Sequence, residues 1–306
     1  MRITVKRGAA LLACAAAGVA AFVGSGVASA AHNASICPGG KIRFGVEPYD
    51  SGPKFVGAYQ ALSTALSQKL GCPVKLYITQ NYTAEVEAMR AKKLDMGEFG
   101  PLGYIFAHKL ANAQPVAVFG TADGKPDTYT AALWVPTSSS IQTLADLKGH
   151  TIAFSDPGST SGNLLPRAAL KAAGINPDKD VTIQFAGSHT ASLLALVNGK
   201  VDAGEVNSQQ QATASAAGQF DASKFRTIWR SAPIPNDPIT VRGDLPAAFQ
   251  AAVKKALLTL TTAQLAKVNT ELGVNDPGKM LAGSDSLYKP VRDVVSTLGL
   301  NINQIG

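Results

Sequence analysis

The chain has 306 residues, 46% of them apolar and 16% charged, with 28 Lys and Arg against 21 Asp and Glu for a formal charge of +7. That length suits two domains rather than one core. The mild positive charge, with no block of like charges, excludes a nucleic-acid surface of the usual kind and suits attraction of small anions.

The N-terminus reads as a secretory signal. Arg2, Lys6 and Arg7 form a basic start, an apolar stretch follows from Gly8, and Val27-Ala28-Ser29-Ala30 supplies an A-x-A processing pattern, so residues 1–30 are expected to be removed. A retained anchor is the alternative, and Leu11-Leu12-Ala13-Cys14 resembles a lipobox behind a very short apolar run. No later segment is long and apolar enough to span a bilayer. Loss of the three basic residues brings the formal charge to +4. Cys37 and Cys72 then remain in an oxidising compartment, each just before a predicted strand. A disulfide pinning the two strand ends is expected, with two buried free thiols as the alternative.

Short apolar runs alternate with amphipathic ones after Cys37. Lys41–Val46 reads as a strand, and Pro53 opens a helix with Phe55, Tyr59, Leu62, Leu66 and Leu70 at helical spacing, closed by Gly71. Val74–Ile78 is a strand, Thr83–Lys93 a helix capped by Asn81 or Thr83, Leu94–Phe99 a third strand, Pro101–Leu110 a helix and Val116–Phe119 a strand. A second run begins near Val135: a short helix at Leu144–Gly149, a strand at Thr151–Phe154, a helix at Asn163–Ala173, a strand at Val181–Phe185, a helix at Ala191–Asn198, and strands at Val201–Gly204 and Phe225–Trp229. Pro233–Pro238 is a proline-dense linker, and the tail from Leu245 is helical. This alternation predicts two α/β lobes, each with a mostly parallel sheet and flanking helices. Lobe 1 takes residues 31–132 and 240–306, lobe 2 takes 133–239, and hinge crossings fall near 132–136 and 232–239.

Asp156-Pro157-Gly158-Ser159-Thr160-Ser161-Gly162 sits at a strand-to-helix turn. Free amides at a helix start, hydroxyl donors and glycines that admit close approach suit an oxyanion. The plainer reading is an N-cap with turn glycines. Ser161, His189 and Asp237 also invite a hydrolase triad, but Thr160 at the centre of Gly158–Gly162 breaks the G-x-S-x-G elbow and the chain order is unusual. His32, His108, His150 and His189 show no metal-ligand spacing, and no P-loop or dinucleotide fingerprint occurs, so no metal or cofactor is expected.

An ordered set of motifs carries a family resemblance: Asn81-Tyr82-Thr83, Met89-Arg90, Leu94-Asp95-Met96 before Phe99-Gly100-Pro101-Leu102, Asp123-Gly124 with Tyr129 beyond, the hydroxyl loop, Gly187-Ser188-His189, Val201-Asp202-Ala203, Ile234-Pro235-Asn236-Asp237-Pro238 and Tyr288-Lys289-Pro290. The chain resembles the periplasmic substrate-binding proteins of phosphonate, phosphite and phosphate ABC importers. The resemblance implies a two-lobed periplasmic binding protein fold of type II. It implies no enzymatic activity, a small phosphorus oxyanion as ligand, an inner-membrane ABC permease as partner, a periplasmic location, a monomer and no nucleic acid. A sensory role, presenting the anion to a membrane histidine kinase, is the alternative. The resemblance places the phosphonyl group at Ser159, Thr160 and Ser161, with Tyr82, Tyr129, His189 and Asp237 around it. Aminoalkylphosphonate binders carry a glutamate where this chain has Gln209, which favours a ligand without an amine. Glu98 is a further candidate that would restore the missing charge if it faced the cleft, against a plain rim position, and Phe99 beside it is carried with it.

Overall fold

The computed structural model describes residues 36–274 and 276–301. The expected signal segment and Cys14 lie outside the described residues. In the first lobe β1 is Ile42–Val46, α1 Pro53–Leu70, β2 Val74–Ile78, α2 Tyr82–Arg90, β3 Met96–Glu98, α3 Pro101–Ala111 and β4 Ala113–Val118. A short strand β5, Thr128–Tyr129, leads out of it. The second lobe has β6 Ala132–Pro136, β7 Thr151–Phe154, α4 Leu165–Ala172, β8 Thr182–Phe185, α5 His189–Val197, β9 Ala203–Glu205, α6 Ser208–Ala216 and β10 Phe225–Arg230. The chain returns through β11, Ile234–Pro235, and β12, Pro238–Arg242, and ends with α7 Ala247–Leu258, α8 Thr262–Glu271, β13 Leu281–Ala282 and α9 Lys289–Leu298.

Local chemistry sets these boundaries. Pro53 occupies the first turn of α1, where its missing N–H costs nothing, and Gly71 ends that helix in the left-handed region at φ 61°. The side chains of Asn81, Ser188 and Asn207 each accept a first-turn amide of α2, α5 and α6. His189 is therefore the first helical residue of α5, two positions earlier than the sequence pattern suggests. The helix expected from Asn163 starts earlier too: Thr160–Leu164 form a widened turn with i→i+5 bonding that runs directly into α4. The hydroxyl residues are thus part of the helix end itself.

The first sheet has the order β13-β4-β12-β3-β1-β2, and the second β10-β6-β9-β7-β8. β1, β2, β3 and β4 run one way, with β12 inserted against them between β3 and β4. In the second sheet β6 alone runs against its neighbours. Both sheets are mixed rather than mostly parallel, because each is split by a strand that has just crossed from the other side and pairs antiparallel on both flanks. Residues 132–136, expected as a hinge, form that interior strand β6. The link between sheets is the antiparallel pair β5–β11, with Tyr129 opposite Ile234 and Thr128 opposite Pro235. Helices cover both sheets: α1, α7 and α8 bury Phe55, Tyr59, Leu62 and Phe249 against Ile42 and Phe44, while Leu193 and Leu196 of α5 pack with Ala153 and Trp134.

Cys37 and Cys72 are joined, with Cα atoms 5.7 Å apart and a sequence separation of 35. They precede β1 and β2, which pair in register from Ile42 and Val74, so the bridge pins two neighbouring strand ends as expected. On the chain-entropy argument a loop of this length stabilises by about 3–4 kcal/mol. The Cys37→Ser, Cys72→Ser double variant is expected to lose about that much in urea unfolding, with an unchanged circular dichroism spectrum. A loss under ~0.5 kcal/mol would show that the strand ends hold together without it.

Candidate functional site

The carboxyl ends of the parallel strands in both sheets face one another, the usual place for a ligand in open α/β sheets. The lobes already touch there. Thr160 Oγ1 of the second lobe accepts the Leu102 amide at the start of α3 (2.8 Å), the His189 amide donates to the Tyr49 carbonyl (3.1 Å), and the Thr190 hydroxyl donates to Asp50 (2.8 Å). Gly158 lies against Tyr82 so closely that a Cβ would stand 2.7 Å from the Tyr82 Cβ. Between these contacts lies a cavity lined by residues from both lobes, with Tyr82, Tyr129, Ser159, Thr160, Ser161, His189, Gln209 and Asp237 among them. Its interior room is about 30 Å³, the space of two or three water-sized groups. Among the described residues, no lysine or arginine lines it.

The hydroxyl turn is fastened from within. Ser159 Oγ caps it by accepting the Gly162 amide (3.0 Å), and Asp156 accepts the Gly158 amide (2.7 Å) and the Tyr82 amide across the cleft. Gly162 is obligatory, because a Cβ there would overlap the Ser155 hydroxyl. Ser161 accepts from the Asn207 amide group (3.4 Å) and bonds the Tyr129 hydroxyl. His189 Nδ1 lies 2.8 Å from Glu205 Oε2, and its Nε2 3.3 Å from Ser159 Oγ. The side-chain partners of His189 are therefore Glu205 and Ser159, with Asn207 Nδ2 3.3 Å from Nδ1. The triad imagined from Ser161, His189 and Asp237 is not assembled: Ser161 is held by Asn207 and Tyr129.

Two candidates lie elsewhere. Glu98 is 1% exposed and accepts the Tyr59 hydroxyl (2.7 Å), which in turn receives the Tyr49 hydroxyl (3.1 Å). Strand alternation explains it: Met96 and Glu98 share the face of β3 that packs on α1, where Tyr59 waits. Phe99 is buried in the core with Leu102 and Val86, its ring over Gly97. Neither lines the cavity, which corrects both the cleft-facing and the rim expectation for Glu98. The structure adds Glu47, Tyr49, Asp50, Asn207 and Glu271 to the lining. Glu47 had a signal in the sequence: a lone acid directly after an apolar strand, at its carboxyl end.

Burial penalises the charged form of the cavity acids. Glu47 is pushed well above the ordinary carboxylate range by burial and then by Asp237 and Glu85. Asp237 is pushed up to about 7 by burial, with the charge of His189 pulling it back. Burial alone would lower His189, but the charge and hydrogen bond of Glu205 outweigh it and hold the imidazole above its ordinary value.

Residues 44–279 match the family of ABC transporter, phosphonate, periplasmic substrate-binding proteins. The chain belongs to that family. It is 30% identical over 194 residues to the phosphate-import protein PhnD of Mycolicibacterium smegmatis, covering 60% of each chain. It is 29% identical over 208 residues to the phosphonates-binding periplasmic protein of Escherichia coli, covering 67% of this chain and 61% of that one. The matched stretch thus spans about three fifths of these two relatives. Its fold is similar to that of the binding-protein component of an ABC phosphonate transporter from Pseudomonas aeruginosa, with a TM-score of 0.74, 25% identity and 83% and 84% of the two chains covered. The hydroxyl turn, His189 and Asp237 all fall inside the matched span.

The sign of the pH dependence follows from the shifts. Asp237 keeps its proton in the fold up to about 7, whereas the unfolded chain loses it near 3.9, so its contribution to stability falls as pH rises between those values. The His189 contribution is complete below about 6.5 and is lost as pH rises through its higher folded value, which has the same sign. With the lobes closed as in this structure, the protein is expected to melt higher near pH 5 than at pH 8 in calorimetry. Asp237→Asn should gain on the wild type at pH 8 relative to pH 5, by on the order of a few kcal/mol. Equal differences at both pH values would show that Asp237 titrates normally.

Proposed function

We propose that this protein captures a small phosphorus oxyanion, a phosphonate, phosphite or phosphate, outside the cytoplasm and delivers it as a monomer to an ABC permease. One observation carries the reading. The Ser159–Ser161 turn, two tyrosines, His189 and Asp237 converge on one small interlobe cavity with no lysine or arginine in its wall among the described residues. Hydroxyls and helix-end amides suit tetrahedral oxygens, and bonds to an anion are stronger than neutral ones. Asp237 supports the choice of phosphorus. A carboxylate there repels a fully ionised anion and accepts a hydrogen bond from P–OH, which a sulfonate lacks at neutral pH; rejection of the wrong ligand is thereby built in. The neutral Gln209, with Glu98 turned into the core, supports a ligand without an amine.

Thermal shift and calorimetry with phosphate, phosphite, methylphosphonate, ethylphosphonate, 2-aminoethylphosphonate, sulfate and methanesulfonate test this. A bound ligand at 100 times its Kd stabilises by about 2.7 kcal/mol. The expected order puts the simple phosphorus anions first and the sulfur anions at no shift. No shift from any phosphorus compound would end the proposal. Ser161→Ala and Thr160→Ala should each weaken binding by about 1.5–3 kcal/mol, the value of a hydrogen bond to a charged group. Gln209→Glu should move preference toward 2-aminoethylphosphonate in competition, and an unchanged ranking would remove Gln209 from the selectivity argument.

A further inference from the structure

One buried polar atom in the cavity has no use in the account above. Glu47 follows β1 at the carboxyl end of the first sheet, is 2% exposed and lines the cavity. One side of its carboxyl is anchored by the Gly100 amide at the start of α3. A Cβ at Gly100 would stand 2.6 Å from Glu47 Oε1, so glycine there is what lets the carboxyl reach the helix end. The other oxygen, Oε2, is buried without a hydrogen-bond partner among the described residues. A buried oxygen in that condition is costly and asks for an explanation.

The groups facing Glu47 are of one sign or neutral. Asp237 comes from the link between β11 and β12, Glu85 and Tyr82 from α2, Asp156 from the turn after β7, and Tyr129 from β5. Tyr49, Asp50, Glu271 and His189 complete the titratable lining, and His189 is engaged by Glu205. Adding an anion to such a wall with every carboxyl ionised would set like charges against one another in a dry space. A proton on Glu47 removes the conflict and supplies the donor that Oε2 lacks a use for.

We propose that Glu47 is a ligand-contacting, specificity-determining residue that takes up a proton as the lobes close, and then donates from Oε2 to an anionic oxygen of the ligand while Asp237 accepts from its P–OH. This rests on the oxyanion reading. With the cleft open and wet, Glu47 ionises like an ordinary glutamate. Closure removes its water and brings a second negative charge, and the proton comes from solvent; no covalent bond is made or broken. Burial and the neighbouring acids push Glu47 in the same direction. The ligand so selected is a monoanion that carries one P–OH: a dianion offers no proton to Asp237, and a sulfonate offers none either.

The test is calorimetry of methylphosphonate binding at pH 8 in two buffers of different ionisation heat, with the wild-type protein and Glu47→Gln. Glutamine supplies a fixed donor in place of the O–H. The variant is expected to bind within about threefold of the wild-type Kd, and the wild type to take up more protons on binding than the variant. Equal proton uptake by the two overturns the inference while leaving the capture function intact. So does a variant that melts like the wild type and binds more than a hundredfold weaker, since that requires the ionised carboxylate. If Glu47→Gln does not fold, the infrared difference spectrum of the wild type with and without methylphosphonate decides: a protonated-carboxyl band gained on binding is expected, and its absence overturns the inference. A wild type that binds no phosphorus anion in the ligand panel defeats the capture reading first, and this inference with it.

Discussion

Acidic side chains buried at the cleft with no lysine or arginine beside them among the described residues are the constraint that organises this molecule. Elsewhere the chain balances a buried acid in the ordinary way: Asp95 is 1% exposed and receives two bonds from the Arg43 guanidinium, at 2.9 and 2.6 Å, with Arg242 3.6 Å away. Among the described residues lining the cavity, Glu47 and Asp237 have no such partner, and the basic group present, His189, is tied to Glu205. Electrostatics in a low-dielectric interior then leaves two ways to keep the site neutral enough to close: neutral donors and protons. Both are visible. The donors are hydroxyls and amides of the Thr160 turn, and the acids hold their protons above their ordinary range.

The same contacts that define the cavity also join the lobes. Thr160 meets the start of α3, His189 meets Tyr49, and Gly158 packs on Tyr82. A site whose walls come from two bodies exists only in the closed state. A ligand that bridges them therefore shifts the open–closed balance by its differential affinity, with no further device needed.

Much of this was legible in the sequence, and the failures have physical causes. The strand-to-helix turn, the capping residues and the Cys37–Cys72 pairing are local or nearly local features, and turn chemistry writes them plainly. The orientation of Glu98 was not legible. Its face of β3 is set by α1, far away in sequence, through Tyr59. The start of the helix at Thr160 was read late, because a widened turn has no strong sequence signature. Composition does not separate a crossing from an interior strand near residues 132–136, since both are apolar; only pairing with β9 and β10 shows that these residues form β6. Glu47 was passed over because it lies between an apolar run and a proline, where an acid reads as the end of a strand.

On the proposed capture function, release would follow from how the crossings are built. β6 and β12 are each inserted in the middle of a sheet, so a change of angle between lobes leaves the ladders intact and falls on the short β5–β11 pair and its flanks. Tyr129 lies in that pair and Asp237 two residues past it, with Asn236 fastened to Asp127 and its carbonyl held by the Tyr288 hydroxyl. These residues stay near the axis when the lobes part. Ser161, Thr160 and His189 leave with the second lobe, while Tyr82 and Glu47 stay with the first. A bound anion would lose about half its donors in one step. Since no lysine or arginine grips it, no strong ion pair has to be broken afterwards. On that proposal, an anion site assembled from hydroxyls, amides and shared protons would be tight when shut and weak when open, which is what hand-over to a second protein demands.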